Sequence, residues 1–195
     1  MTEPIPPSLL LPLEDLGKWL GGIPASSVIV GGIAVSFLGR PRFTQDIDAL
    51  TILPESVWEH ALATAPRYGI VPRIDDALAL ARRSRVFLLR HVVSSIDIDV
   101  ILGGLPFEKN AVDNAVFHRI GGLDIPLPRV EDLMIMKAVA HRPRDTLDVQ
   151  SLLETNPNVD VELVRRWVRE FGIATAMSDL IEDFDKAIAR WQESR

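Results

Sequence analysis

Apolar positions follow two periods along this chain. From Leu9 to Leu20 they recur at helical spacing and are followed by Gly21-Gly22, which predicts a helix closed by glycine. Val28-Ile29-Val30 is a β-branched run that meets Gly31-Gly32, and Ile33 to Leu38 has the character of a short buried helix. A second strand is predicted where Ile47, Ala49, Leu50 and Ile52 follow Asp46. Pro54 opens a helix through Trp58 and Leu62 towards Tyr68, with Gly69 closing it. After Pro72, Asp75 to Arg83 predicts a short helix, and Val86 to Val93 and Ile96 to Leu102 predict strands joined as a hairpin through Ser94-Ser95.

Gly103-Gly104 and Pro106 break that hairpin. Phe107 to Phe117 then predicts a helix, and Arg119 to Pro126 a short edge strand or turn around Gly121-Gly122. Beyond Pro128 the pattern is helical: Val130, Leu133, Met134, Met136, Val139 and Ala140 form one buried face. Two amphipathic helices follow, around Val161 to Phe171 and Ala174 to Trp191, separated at Gly172. Trp167 and Trp191 read as core or interface residues. The expected organisation is a flexible Pro-rich N-terminus over residues 1–8, a mixed α and β core over 9–127, and a helical region over 128–195.

Acidic residues interrupt this pattern where they are least at home. Aspartate is depleted from strands, yet Asp46 and Asp48 flank Ile47, and Asp97 and Asp99 flank Ile98. Alternate residues of a strand share a face, so each pair presents two carboxylates about 7 Å apart. One such pair can cap a solvated strand end. Two pairs on neighbouring strands would converge, a demand met by a hard divalent ion such as Mg²⁺ or Mn²⁺ and by two-metal phosphoryl or nucleotidyl transfer. Gly31-Gly32 ahead of a helix suits close approach of another group and the binding of a phosphate by free N–H groups, although most such pairs are simply tight turns.

These pieces, Val30-Gly31-Gly32, then Asp46-Ile47-Asp48, then Asp99, resemble the nucleotidyltransferase superfamily that shares its palm-like fold with DNA polymerase β. Arg42-x-Thr44-x-Asp46-Ile47-Asp48, the segment Asp99 to Phe107, and Lys137 followed by Arg142 and Asp148 look more narrowly like the AbiEii-type nucleotidyltransferases. The resemblance spans roughly residues 25–155 and implies an α+β fold. Its sheet would be mixed and largely antiparallel, flanked by helices, with a C-terminal helical bundle. It implies transfer of a nucleoside monophosphate from an NTP to an acceptor hydroxyl, with Asp46, Asp48 and Asp99 as catalytic metal ligands. Asp97 is the alternate third ligand, since geometry alone does not separate it from Asp99. Gly31, Gly32, Arg42, Thr44, Lys137 and Arg142 are the implied nucleotide ligands. Apart from the resemblance, Lys137 reads as a lysine that snorkels to water. Asp145 and Asp148 read as helix-start carboxylates or partners of Arg142, or as a brace for Lys137.

Composition limits the partners. The chain has 195 residues with 47% hydrophobic and 25% charged, ordinary for a globular protein. Cys 0 leaves neither disulfides nor a thiolate zinc site. No apolar run reaches membrane-spanning length and the N-terminus lacks a basic signal, so a cytoplasmic protein is expected. A net charge of −6 argues against coating nucleic acid by bulk electrostatics. Arginines nevertheless cluster at Arg82, Arg83 and Arg85 and at Arg142 and Arg144, leaving RNA or tRNA open as acceptor beside a protein or small molecule. The resemblance adds a possible cognate antitoxin and a toxin or phage-defence role. The competing reading is a catalytically silent nucleotide-binding or antitoxin-like protein, or a structural domain whose aspartates only cap strands.

Overall fold

The computed structural model describes residues 6–193. The chain divides into two compact units, the first running through Ile33 and resuming over Arg42–Pro128, the second comprising Ala34–Pro41 and Arg129 onwards. Part of the expected flexible N-terminus, residues 1–5, lies outside the described residues. Pro7–Leu9 forms a 3-10 turn, and Leu9 is buried.

The first unit is an α+β layer. Its elements are α1 (Leu10–Gly21), β1 (Ser26–Val30), the start of α2 (Gly31–Leu38), β2 (Asp46–Ile52), α3 (Trp58–Thr64), β3 (Ile70–Pro72), α4 (Ala77–Ser84), β4 (Val86–His91), β5 (Asp97–Leu102), α5 (Pro106–Asp113), β6 (Val116–Ile120) and β7 (Leu123–Leu127). Five strands form one sheet in the order β1-β2-β5-β4-β3. Only β2 and β5 run parallel, and the other neighbours are antiparallel. Ile47, Ala49, Ile98, Val100, Phe87 and Leu89 fill one face of this sheet and are buried, so alternation sends the intervening residues to the other face. Trp58 packs edge-on to Phe87 with centroids 6.1 Å apart and donates its indole N–H to the Leu53 carbonyl at 3.1 Å.

Several boundaries differ from the sequence pattern, and three of the differences have a local reason. The helix expected over Phe107–Phe117 stops at Asp113, and Val116 and Phe117 belong to β6. Gly121 (φ +54°) and Gly122 (φ +87°) form the tight turn that pairs Val116 with Leu127. Gly172, expected to separate two helices, lies inside α8 (Val161–Thr175), which ends at Ala176 in the left-handed region (φ +55°). There the Met177 N–H returns to the Gly172 carbonyl at 2.9 Å, and a Cβ on Gly172 would stand 3.0 Å from the Met177 carbonyl oxygen. Strand β3, three residues long, has too few positions for a period to show.

The second unit comprises the later part of α2 and four helices: α6 (Val130–Ala140), α7 (Pro143–Thr155), α8, and α9 (Asp179–Glu193). The C-terminal end of α2 is tied to α7 by polar contacts. The Leu38 carbonyl accepts from Thr155 and Asn156 (3.2 and 2.8 Å), and the Ser151 hydroxyl accepts from the Arg40 N–H at 2.6 Å. Between α6 and α7 lies a buried ion cluster. The Lys137 ammonium donates to Asp145 at 3.0 Å and pairs with Asp148 at 2.9 Å, while Arg142 Nε donates to the second Asp145 oxygen at 2.7 Å. Lys137 is only 7% exposed, so it does not snorkel. Two carboxylates one helical turn apart receive it instead.

Burial pushes the Asp145 carboxyl up, but the hydrogen bonds and charges of Arg142 and Lys137 outweigh it, and the net shift is downward. Lys137→Met should therefore destabilise the protein by about 3–5 kcal/mol at pH 7, because it removes the buried cation that Asp145 and Asp148 share. Urea denaturation would measure this. A carboxyl lowered in the folded state stabilises above its unfolded value of about 3.9, and that stability is lost as pH falls through the folded value. The gap between wild type and variant should accordingly narrow in acid below about pH 4.

Candidate functional site

The parallel pairing of β2 with β5 decides where the acidic residues meet. Its register sets Asp46 beside Asp97 and Asp48 beside Asp99. All four point to the face opposite buried Ile47 and Ile98. Neighbouring strands lie about 4.8 Å apart, so the two alternating pairs form a patch rather than two isolated caps. The same face of β4 contributes Arg90, opposite Asp97, and Leu88, opposite Asp99.

At the β1 end the glycine pair opens α2 directly, with no intervening turn. Gly31 has φ +61°, and a Cβ there would collide with the Asp48 carboxylate, standing 2.6 Å from its Cγ. A Cβ on Gly32 would meet the Thr44 side chain 2.9 Å from Thr44 Cβ and come within 3.2 Å of an Arg42 guanidinium nitrogen. Both glycines thus make room for side chains of the Arg42–Asp48 stretch. Thr44 is buried, and its hydroxyl donates to Asp46 Oδ1 at 2.9 Å. The Arg42 guanidinium donates to the Phe43 carbonyl at 3.3 Å.

The two β5 carboxylates are unequally compensated. Asp97 accepts from Arg90 at 2.7 Å and from Arg73 at 2.9 Å. The Arg90 hydrogen bond, reinforced by the charges of both arginines, overcomes burial and lowers the Asp97 carboxyl. Asp99 accepts from the other arm of Arg73. Burial raises its carboxyl, Arg73 draws it back, and the Asp46 and Asp97 charges raise it again, leaving a net upward shift. The repulsion expected from the sequence is therefore present.

In kind, this donor set fits a hard divalent ion: several carboxylate oxygens on one open face, with a hydroxyl orienting one of them. In position, among the described residues no three acidic or imidazole side chains stand close enough to chelate one ion as they lie. Arg73 bridges Asp97 and Asp99 instead. A cleft of the first unit is lined by Phe43, Thr44, Asp46, Arg73, Asp97 and Asp99 among others, and Phe43 is 67% exposed there.

The sequence pattern missed Arg73. It follows the three-residue β3, and its side chain passes β4 to reach β5, a long-range relation without local periodicity. Lys137 and Arg142, the other implied nucleotide ligands, belong to the second unit and its ion cluster. Arg85 serves the fold, donating to the Leu102 and Gly103 carbonyls (2.7 and 2.9 Å) and lying 5.5 Å above the Trp58 ring.

Gly31→Ala should displace Asp48 as well as strain the backbone. A non-glycine residue held at this φ costs about 1–3 kcal/mol, so the melting temperature should fall measurably, and the double variant Gly31→Ala/Asp48→Gly should recover part of the loss by removing the collision. No recovery would show that the two positions do not share space.

With this geometry in view, the comparisons with known proteins converge. No curated protein matches the chain in sequence. Its structure is similar to an antigenic nucleotidyltransferase-like protein from Paracoccidioides brasiliensis, with a TM-score of 0.54 at 14% identity over 89% of this chain and 90% of that one. It is also similar to the antibiotic-resistance factor ANT(2'')-Ia, with a TM-score of 0.59 at 15% identity over 87% of this chain and 94% of that one. These likenesses establish a shared fold. The family model described as nucleotidyl transferase AbiEii toxin, type IV toxin–antitoxin system, matches residues 24–193, and the chain is a member of that AbiEii nucleotidyltransferase family.

Proposed function

We propose that this protein is a metal-dependent nucleotidyltransferase that moves a nucleoside monophosphate from an NTP to an acceptor hydroxyl, and that it acts as the toxin of a toxin–antitoxin pair. The observation that carries the reading is the in-register parallel pairing of Asp46-Ile47-Asp48 with Asp97-Ile98-Asp99 beside the glycine start of α2. A purely structural sheet gains nothing from four adjacent carboxylates, whose mutual repulsion must be offset elsewhere.

In this reading Asp46, Asp48 and Asp99 hold Mg²⁺ or Mn²⁺. When bound, such ions activate the attacking oxygen and neutralise charge developing on the pyrophosphate. Asp99 is preferred to Asp97 as the third ligand because Asp97 is already paired with Arg90 as well as Arg73. Thr44 fixes the orientation of Asp46. The closeness of Gly31 and Gly32 to Asp48 and Thr44 would bring phosphates, held by backbone N–H groups at the start of α2, near the carboxylates. Arg42, placed against Gly32, supplies positive charge for the same phosphates. Lys137 and Arg142 remain contributors to nucleotide binding. Arg142 is the accessible cation of their cluster, with its side chain 73% exposed.

Catalysis of this kind is mainly positioning and charge neutralisation. Asp48→Asn should therefore lower turnover by about a hundredfold to a thousandfold, as the loss of a key electrostatic group does, while circular dichroism shows an intact fold. Full activity in Asp48→Asn would sink the proposal. Before an acceptor is known, thermal melting with each NTP and Mn²⁺ tests donor binding: a metal-dependent, nucleotide-selective rise is expected in wild type and absent from Asp46→Asn/Asp48→Asn. Arg142→Ala should raise the NTP concentration required for that rise without abolishing it. Growth arrest on expression of this protein, relieved by co-expression of a protein encoded beside the gene, would test the toxin role and identify the antitoxin.

A further inference from the structure

The guanidinium of Arg73 bonds both β5 carboxylates, Asp97 through one terminal nitrogen at 2.9 Å and Asp99 through the other. Its Nε is buried and, among the described residues, has no hydrogen-bond partner. The backbone beneath it is fixed, because the Arg73 N–H donates to the Leu88 carbonyl at 2.9 Å and continues the pairing of β3 with β4. Only the side chain remains to swing. The two carboxylates that it bridges differ in what each loses if it does. Asp97 keeps Arg90 at 2.7 Å, whereas among the described residues Arg73 is the one cation within ion-pair reach of Asp99.

We propose that Arg73 is an internal counter-cation of the carboxylate patch, which holds Asp99 while no metal is bound and must release it before Asp99 can ligate a divalent ion. Arg73 and the metal compete for one carboxylate. The inference rests on the metal-dependent reading above and adds a residue and a control step to it. Competition has a physical basis: the carboxylate oxygen that accepts from the guanidinium is a donor atom that the ion would need. Among the described residues no three acidic side chains converge while the bridge is in place. On release Arg73 need not leave the site, since its arm on Asp97 can persist. A cation then remains beside the metal, where the charge of a triphosphate would be received.

Mn²⁺ binding to the nucleotide-free protein, read from the loss of the free-ion electron paramagnetic resonance signal, tests this without requiring activity. Arg73→Gln should tighten Mn²⁺ binding by at least tenfold. In metal-free buffer the same substitution should lower the melting temperature, because Asp99 loses its counter-cation. Arg90→Gln is the control for general electrostatics: it removes one positive charge from the same face but none from Asp99, so its effect on Mn²⁺ affinity should be several-fold smaller. Arg73→Lys, which keeps the charge but loses the two-armed bridge, should fall between wild type and Arg73→Gln, and it serves if the glutamine variant does not fold.

Equal gains from Arg73→Gln and Arg90→Gln would overturn the competition in favour of bulk charge. Asp48-dependent Mn²⁺ binding that Arg73→Gln leaves unchanged or weakens would overturn the proposal for Arg73 while leaving the metal site standing. If Mn²⁺ binding is no stronger in wild type and the arginine variants than in Asp48→Asn, both this proposal and the metal-dependent reading fail.

Discussion

The structure of the first unit turns on one constraint, the parallel in-register pairing of two strands that each carry alternating aspartates. Parallel neighbours place equivalent residues side by side, so this pairing makes like charges adjacent at two successive levels, Asp46 with Asp97 and Asp48 with Asp99. A shift of one residue would exchange the aspartates with Ile47 and Ile98 and expose the core. The apolar face therefore fixes the register, and the register imposes the repulsion. Much of the local chemistry answers it: the Thr44 hydroxyl on Asp46, the Arg90 guanidinium on Asp97, and Arg73 across Asp97 and Asp99. The glycine at position 31 belongs to the same arrangement, since the volume that a Cβ would fill is taken by the Asp48 carboxylate.

What the sequence discloses and what it conceals divide by range. The alternation of Asp46, Ile47 and Asp48 and of Asp97, Ile98 and Asp99 is local, and so is the hairpin signal at Ser94-Ser95, where Ser95 adopts φ +58°. These features are legible because a period of two and a turn need only a few residues. The ion cluster of the second unit was half legible. Asp145 and Asp148 share a helical face by spacing, but the burial of Lys137 depends on α7 packing against α6. A long cationic side chain ordinarily reaches water; here two carboxylates satisfy it inside. Arg73 lay beyond local reading because its partners are 24 and 26 residues away across two strand pairings. The β6 boundary was lost for a different reason: Val116 and Phe117 are exposed at 47% and 70%, so their apolar character did not mark a buried helical face.

The two acidic clusters of this protein make an instructive contrast, and it bears on which of them does chemistry. Asp145 and Asp148 are each 2% exposed and are met by Lys137 and Arg142, with one backbone N–H donated to Asp145 as well. The buried part of this cluster is closed, its charges matched by groups that folding itself brings in and costly to remove, while the Arg142 side chain reaches solvent. The β2–β5 patch is open and graded. Asp97 has two arginines, Asp99 shares one of them, and Asp46 is met by a neutral hydroxyl.

That gradient is what the proposed site would need and a structural ion pair would not. A cluster meant only to hold a sheet together would be stabilised most by equal pairing of every carboxylate, or by replacing them with apolar residues of similar size. Here Asp97, which stands opposite Arg90 of β4, has two arginines, whereas Asp99, opposite Leu88 of β4 and Asp48 of β2, shares one of them. The upward shift of the Asp99 carboxyl follows from burial and from the neighbouring acids, and a divalent cation would relieve the second of these causes directly. In the reading proposed above, the sheet that sets its own carboxylates side by side thereby creates an electrostatic demand that a divalent cation would meet.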